Sequence, residues 1–275
     1  MSSSLAVASA LFYGFSDFAG GYVTRRLSVW TVIAWSQLLG LALVAAGVLV
    51  VPASSVTRAD LLWGAVGGLA GLIGLVLLYL ALARGTMMIA APISGAVTAS
   101  IPVLADVVAG PGLSTRQALG IGLAIGAILL VGLQHGIGGL DRRSLLYAVI
   151  AGVLFGIFFL ALSRTEPASG LWPLVAARAI SVPIAFAVAV SRGVAAPPRL
   201  ENLGFVAVAG NLDMAANITG ALALQRGPAG VTAVLISLYP AVTATLAMFV
   251  LRERPTRLQL LGVVLALGAV IALVG

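Results

Sequence analysis

The chain has 275 residues, of which 61% are hydrophobic and only 8% are charged, and its mean hydropathy is +1.16. Soluble domains carry roughly 25% charged residues, so this composition excludes a soluble protein and indicates a polytopic membrane protein. The absence of cysteine excludes disulfides, thiolate metal sites and cysteine nucleophiles. The net charge of +7 comes from arginines at the ends of apolar runs, which is typical of membrane topology, so we predict no nucleic-acid partner.

Ten apolar runs are long enough to cross a bilayer as helices, which takes about 20 residues. In chain order they cover about residues 4–24, 29–51, 60–83, 87–109, 115–135, 143–163, 170–191, 202–225, 229–251 and 256–274. The runs are longer than the strands of a membrane barrel and lack their alternation. The sequence therefore predicts an all-α polytopic membrane protein with ten transmembrane helices.

An ungapped shift of 142 residues superimposes the two halves of the chain. The matched pairs include Gly14 with Gly156, Trp30 with Trp172, Arg84-Gly85 with Arg226-Gly227, and Gln117 with Gln259. We therefore predict two five-helix repeats, residues 1–140 and 141–275, around a central cavity. An odd number of spans inverts the second repeat, and inverted repeats are typical of secondary transporters with a substrate site near the bilayer midplane.

This organisation resembles the EamA type of the drug/metabolite transporter superfamily. The motifs that support this resemblance are the Arg-Gly after the third span of each half, Tyr239-Pro240, Arg252-Glu253-Arg254 and Gln259-x-x-Gly262. The first half departs from the pattern, because Gly110-Pro111-Gly112 stands where an acidic-basic pair is expected. Within the family the chain is similar to aromatic amino-acid exporters, although no motif identifies that substrate.

The resemblance implies a multi-pass protein of a bacterial inner (plasma) membrane that is not an enzyme and uses no cofactor. Its function would be to export small amphipathic metabolites, such as amino acids, by alternating access between the repeats. The expected partners are a small-molecule substrate and the lipid bilayer, with proton coupling as a further candidate.

Three ionisable side chains, Asp17, Arg178 and Asp213, fall at the centre of predicted spans. A charge at this depth costs roughly 3 kcal/mol on insertion scales, so these residues are candidates for a substrate or proton site. The alternative is an ion pair that holds helices together. Two acids and one base cannot all pair, so one carboxylate must be protonated, solvated or free for a substrate amine.

Polar side chains near these charges complete the candidate site. Helical spacing puts Asn217 beside Asp213 and Tyr13 beside Asp17, where each could donate a hydrogen bond to the carboxylate. The predicted substrate-binding residues are Tyr13, Asp17, Gln37, Tyr79, Ser94, Thr98, Arg178, Asn211, Asp213, Asn217, Ser237 and Tyr239. The predicted hinges are Pro92, Pro102 and Pro240, because proline inside a helix removes a hydrogen bond and bends the axis.

Loops on the N-terminal side carry four arginines and the opposite loops carry ten. The positive-inside rule then predicts both termini outside the cytoplasm, whereas the family resemblance often implies the opposite. The five glycines of the third span are interpreted as helix-packing positions, and Glu253 as a solvated interfacial salt bridge.

Three alternatives compete with an amino-acid exporter. A multidrug or nucleotide-linked metabolite carrier of the same fold is one, but phosphate-bearing cargo favours more than the single buried arginine. An intramembrane enzyme would need paired nucleophile and base or metal ligands at depth. A passive channel would need a continuous polar stripe, whereas the polarity here is concentrated at mid-depth.

Overall fold

The computed structural model describes residues 2–109, 114–132, 141–226, 235–236 and 238–274, which form ten α-helices. They are α1 (Ser2–Thr24), α2 (Val29–Val50), α3 (Arg58–Arg84), α4 (Met87–Ala109), α5 (Thr115–Gly132), α6 (Arg142–Leu162), α7 (Trp172–Ser191), α8 (Leu200–Arg226), α9 (Tyr239–Val250) and α10 (Arg257–Val274). The described residues contain no strand, which confirms the all-α prediction. Six helices, α2, α3, α4, α6, α7 and α8, are long and apolar enough to cross a membrane.

Some helices begin at residues other than the predicted ones, because local capping interactions fix where a helix starts. Thr57 and Asp60 form a reciprocal capping box, so α3 begins at Arg58 rather than at residue 60. A short 3₁₀ turn, Pro167–Ser169, precedes α7, which begins at Trp172 with Pro173 in its first turn. The predicted ninth span falls partly outside the described residues, and the helix described there begins at Tyr239.

Corresponding helices of the two repeats pack in corresponding ways. A Cβ on Gly68 of α3 would lie 2.4 Å from the carbonyl oxygen of Ala177 in α7. One on Gly210 of α8, which the 142-residue shift pairs with Gly68, would lie 2.2 Å from the carbonyl oxygen of Ser36 in α2. Only glycine allows backbones to approach this closely. The third helix of each repeat thus crosses the second helix of the other at matching positions.

The glycines of α3 are packing positions, as the sequence predicts. A Cβ on Gly64 would lie 2.3 Å from the carbonyl oxygen of Pro173 in α7, and Gly71 and Gly74 lie against phenylalanine rings of α6. Because helix packing in lipid depends on close van der Waals contact, this stripe fixes α3 against both α6 and α7.

Each repeat also holds a loop of the other at the membrane surface. At the face that carries the start of α1, which we call the terminal face, the backbone N–H of Ser54 donates to the carbonyl of Ala168 over 3.0 Å. At the opposite face, which we call the arginine-rich face, the Trp35 indole N–H donates to the carbonyl of Ala195 over 3.2 Å. Both contacts join the N-terminal repeat to the C-terminal one.

Candidate substrate site

A cavity of about 50 Å³ lies between the two repeats at the middle of the bundle. Its walls come from α1, α2, α3, α6, α7, α8 and the start of α9. The lining residues are Tyr13, Asp17, Gln37, Gly71, Leu75, Phe155, Phe158, Phe159, Arg178, Asp213, Asn217 and Tyr239. We call this space the central cavity.

Eight of these residues form four pairs related by the 142-residue shift. The pairs are Tyr13 with Phe155, Asp17 with Phe159, Gly71 with Asp213, and Leu75 with Asn217. In every pair the polar member comes from α1 or α8, and the apolar member from α3 or α6. The scaffold around the cavity is therefore repeated but its chemistry is not, and a polar wall faces an apolar, largely aromatic one.

The polar wall contains a buried ion pair. Arg178 of α7 forms a salt bridge with Asp213 of α8. The same guanidinium donates from Nη1 to Oε1 of Gln37 over 2.5 Å, and the Ser181 hydroxyl donates to that oxygen over 2.7 Å. These bonds join α2, α7 and α8 at mid-depth in a single network, in which the buried Nε of Arg178 has no hydrogen-bond partner among the described residues.

Asp17 lies outside this network. It is only 5% exposed, and its carboxylate has no hydrogen bond or ion pair within the described residues. The charge count made on the sequence left one carboxylate without a basic partner, and the structure identifies it as Asp17. An acid in this position is protonated, hydrated or free to bind a cationic group.

Asn217, Tyr13 and Tyr239 also line the central cavity. The Asn217 amide donates to the backbone carbonyl of Asp213 over 2.8 Å, rather than to its carboxylate as the sequence suggested. The rings of Tyr13 and Tyr239 lie 5.6 Å apart, and no hydrogen bond joins the Tyr13 hydroxyl to Asp17 in the described part of the chain. The two tyrosines cover one end of the cavity.

Three other predicted binding residues do not line the central cavity. Asn211 donates back to the carbonyl of Ala207 in its own helix, as polar residues in apolar helices commonly do. Tyr79 is fully buried where α3 packs on α1, and Ser94 is buried on α4, where no other described residue bonds to its hydroxyl.

The remaining predicted positions lie on or beside α4 and α9. Thr98 and Pro102 line a second, larger cavity, whereas Pro240 packs against Gly95, whose Cβ would lie 2.5 Å from the proline ring. Pro92 is inside α4 and Ser237 lies outside the described residues. The hinge role of the three prolines stays a prediction.

The second cavity, of about 570 Å³, leads from the central cavity to the terminal face. We call it the vestibule. It shares Tyr13, Phe159, Asn217 and Tyr239 with the central cavity and extends to the loop between α6 and α7. The four shared residues therefore lie between the central cavity and the space that reaches the terminal face.

Packing of α1 on α3 closes the bundle toward the arginine-rich face. A Cβ on Gly20 would lie 2.0 Å from Cζ of Tyr79. The positions related to these two by the 142-residue shift, Leu162 and Ala221, line the vestibule instead. The extensive contact between α1 and α3 in the first repeat thus has no counterpart of similar size between the described α6 and α8 in the second.

Glu253 reinforces this closure. Its carboxylate accepts hydrogen bonds from the backbone N–H groups of Met87 and Met88 at the start of α4, over 3.2 and 2.9 Å. It also pairs with Arg25 at the end of α1 over 3.1 Å, and its side chain is only 12% exposed. The predicted interfacial salt bridge of Glu253 is present, with Arg25 as its partner, but the carboxylate is less solvated than predicted because helix-terminal N–H groups of the other repeat bind it.

The family comparison matches both repeats. A model of the EamA-like transporter family fits residues 1–133 and, separately, residues 142–275. The chain belongs to the EamA-like transporter family. It is therefore a membrane transporter of the drug/metabolite type, as the sequence motifs suggested.

A solved structure supports the fold of this EamA-like transporter. A protein described only as "Crystal structure of protein" superposes with a TM-score of 0.61 at 17% sequence identity, over 98% of this chain and 95% of that chain. That likeness concerns the fold alone. No curated protein matches the sequence as a relative.

Sequence reasoning missed the apolar wall of the central cavity. Phe155, Phe158 and Phe159 are aromatic residues in a uniformly apolar helix, so nothing in their pattern separates a cavity wall from a lipid-facing surface. It also missed Ser181, which its spacing could have revealed. Ser181 follows Arg178 by three residues and therefore shares its face of α7.

Proposed function

We propose that this EamA-like transporter exports small amphipathic metabolites, such as amino acids, across a bacterial inner membrane. The division of the central cavity into a polar and an apolar wall supports this proposal. A cargo with a charged end and an apolar end would satisfy both walls at once. A uniformly polar solute would leave the phenylalanine wall unused, and a uniformly apolar one would desolvate Asp17 without compensation.

The charged end of the cargo would bind between Asp17 and Arg178. Asp17 has no basic partner, so it would accept an ammonium group, and Arg178 lines the same cavity and would orient a carboxylate. In the absence of cargo, Asp17 is the group that would take up a proton. The same carboxylate could thereby couple proton movement to transport.

Transport would proceed as the two repeats exchange their packing arrangements. The vestibule opens to the terminal face while α1 rests on α3. In the reverse state α6 would approach α8, closing the vestibule, and α1 would separate from α3. The inverted repeat supports this exchange, because the same scaffold in the opposite orientation can adopt either arrangement.

The proposal is tested in proteoliposomes with radiolabelled phenylalanine, leucine and glycine. We expect the wild type to transport phenylalanine and leucine in preference to glycine. Asp17→Asn should reduce transport at least tenfold, because the neutral amide cannot balance an ammonium ion. Glu201→Gln, an exposed acid at the start of α8, serves as the charge-matched control and should keep wild-type transport.

Two results would overturn the proposal. One is a wild type that moves none of the three amino acids although purified and correctly folded. The other is an Asp17→Asn variant that transports them as fast as the wild type.

A further inference from the structure

A groove of about 580 Å³ opens at the arginine-rich face, away from the vestibule. It lies between the end of α1, the start of α2, the end of α3 and the residue that follows α7. Its lining includes the basic residues Arg25, Arg84 and Arg192, the aromatic Trp30, and an apolar floor that contains Val76 and Leu80. We call it the basic groove.

The basic groove carries an excess of positive charge. Among the described residues, the carboxylate that pairs with one of its arginines is Glu253, on Arg25, and it already accepts two backbone N–H groups. The Arg192 guanidinium lies 5.6 Å from the centre of the Trp30 ring. Arg84 contacts the ring and hydroxyl of Tyr147. Among the described residues, Asp141 is the acid near Arg84 but forms no ion pair with it, and Arg192 forms no ion pair either, so positive charge exceeds negative charge at the rim.

An apolar track leads from the basic groove along the outside of α3. Val66, Leu69 and Ile73 are between 44% and 48% exposed and follow each other at helical spacing. Leu80, seven residues or about two helical turns further along the same face, lines the groove. This face of α3 is the one that faces lipid, so an acyl chain could follow it from the groove into the membrane.

We propose that the basic groove binds the headgroup of an anionic phospholipid, with an acyl chain on the apolar track of α3. A phosphate monoanion complements the excess positive charge of Arg84 and Arg192, and Trp30 has the amphipathic ring that is typical of the headgroup region. The positive-inside rule predicts that this face lies on the cytoplasmic side, where anionic lipids attract basic residues. The site is separate from the central cavity and does not depend on the cargo.

Native mass spectrometry of the purified full chain tests this proposal. The probes are phosphatidylglycerol and phosphatidylcholine with identical acyl chains. We expect the wild type to retain one phosphatidylglycerol in preference to phosphatidylcholine. Arg84→Gln with Arg192→Gln should weaken phosphatidylglycerol retention by about tenfold, because each basic residue near an anionic headgroup contributes to the attraction.

The matched control removes the same charge from the same face outside the groove. Arg142→Gln with Arg143→Gln changes two exposed arginines at the start of α6 and should retain the lipid as the wild type does. The melting temperature of each variant shows whether it is folded, so that lost binding is not confused with lost structure.

Three results would overturn the proposal. The wild type could show no preference between the lipids. Both double variants could also lose binding equally, which would indicate a general electrostatic attraction of anionic lipid to this face rather than a site in the groove. Glycerol 3-phosphate, the headgroup without chains, could displace the lipid at equal concentration, which would assign the groove to a free anion. A folded Arg84/Arg192 variant with full retention would contradict the groove directly.

Discussion

At the scale of single residues, two acidic side chains of the central cavity, Asp213 and Asp17, look alike in the sequence but differ in their partners. Asp213 and Arg178 neutralise each other, so Asp213 has a structural role whatever else it does. Asp17 has no such partner in the part of the chain that the structure describes and is the better test of cargo binding. A substitution of Asp213 would leave the Arg178 guanidinium buried and without its counter-charge. Its effect on transport would then not be separable from its effect on stability.

The structural role of the ion pair predicts a specific pattern of stability. Arg178→Leu should lower the free energy of unfolding by roughly 3–5 kcal/mol, because it leaves Asp213 as a buried, unpaired charge. The double variant Arg178→Leu with Asp213→Leu should recover most of that loss. Thermal unfolding in detergent measures both. A double variant that is no more stable than the single one would show that the pair does not act as a unit.

The apolar wall predicts a selective change in affinity. Phe155→Ala should raise the KM for phenylalanine by about tenfold, because truncating a buried aromatic contact weakens binding by about 1–3 kcal/mol, and should leave the KM for alanine nearly unchanged. Phe249→Ala, on a ring that is 71% exposed, is the matched control. Equal effects of Phe155→Ala on both amino acids would indicate a general loss of packing rather than contact with the cargo side chain.

Sequence reasoning at this scale predicted best the positions of charged side chains, which are conspicuous in an apolar run. A carboxylate or guanidinium in an apolar run must be compensated, and Asp17, Arg178 and Asp213 all line the central cavity. It failed where a side chain has a local alternative: Asn211 bonds to its own helix and Tyr79 packs between helices. Whether the cavity residues bind cargo stays a prediction.

At the scale of helices, α1 packs tightly against α3 where Gly20 meets Tyr79. The Cβ of an alanine at position 20 would overlap the tyrosine ring, since 2.0 Å is far below van der Waals contact. The ring is fully buried and cannot move aside without displacing its neighbours. The glycine therefore permits the closure at the arginine-rich face.

Gly20→Ala should accordingly destabilise the protein by about 1–3 kcal/mol, the usual cost of overpacking. Gly122→Ala in α5 is the control, because nothing lies within 4 Å of its Cβ position. That variant should be neutral or stabilise the helix by up to about 1 kcal/mol, since alanine is the better helix former. Melting temperatures that fall equally in both would contradict a specific contact between α1 and α3.

Helix positions were predictable because lipid demands long apolar helices, whereas helix ends were not. The ends depend on single capping residues, such as Thr57 before α3, and on prolines such as Pro173 at the start of α7. Which helices pack together was also beyond the sequence. An apolar run does not show which other helix packs against it, and only the glycine stripe of α3 indicated a packing face.

At the scale of the whole molecule, the two repeats share a scaffold but differ in state. The Gly68 and Gly210 crossings match, whereas the contact of α1 with α3 has no equivalent of similar size between the described α6 and α8. The internal repeat was visible in the sequence as a constant shift. Its asymmetry was not, because both arrangements are compatible with the same residues.

Glu253 is the connection through which the closed arrangement can be tested. It joins the end of α1, through Arg25, to the start of α4, and it belongs to the second repeat. Glu253→Gln removes the charge that holds these three segments together. We expect the variant to populate the reverse state more often, with the arginine-rich face open and the vestibule closed.

Cysteine accessibility measures both faces, because the chain has no cysteine of its own. Val23→Cys reports on the arginine-rich face, since Val23 is fully buried near Gly20, and Ala221→Cys reports on the vestibule. In the Glu253→Gln background a membrane-impermeant thiol reagent should label position 23 several-fold faster and position 221 several-fold slower. The opposite changes identify exchange between two states, because local loosening around Glu253 would accelerate labelling at position 23 alone.

Glu201→Gln provides the control, because it removes one negative charge from the same face at an exposed acid that forms no ion pair with α1 or α4 in the described residues. Labelling rates in that background should equal those of the parent. If Glu253→Gln left both rates unchanged, Glu253 would be a helix cap without a role in closure. If it raised both, the variant would be loosened as a whole, and the two repeats would not be coupled in the way that their inverted arrangement requires.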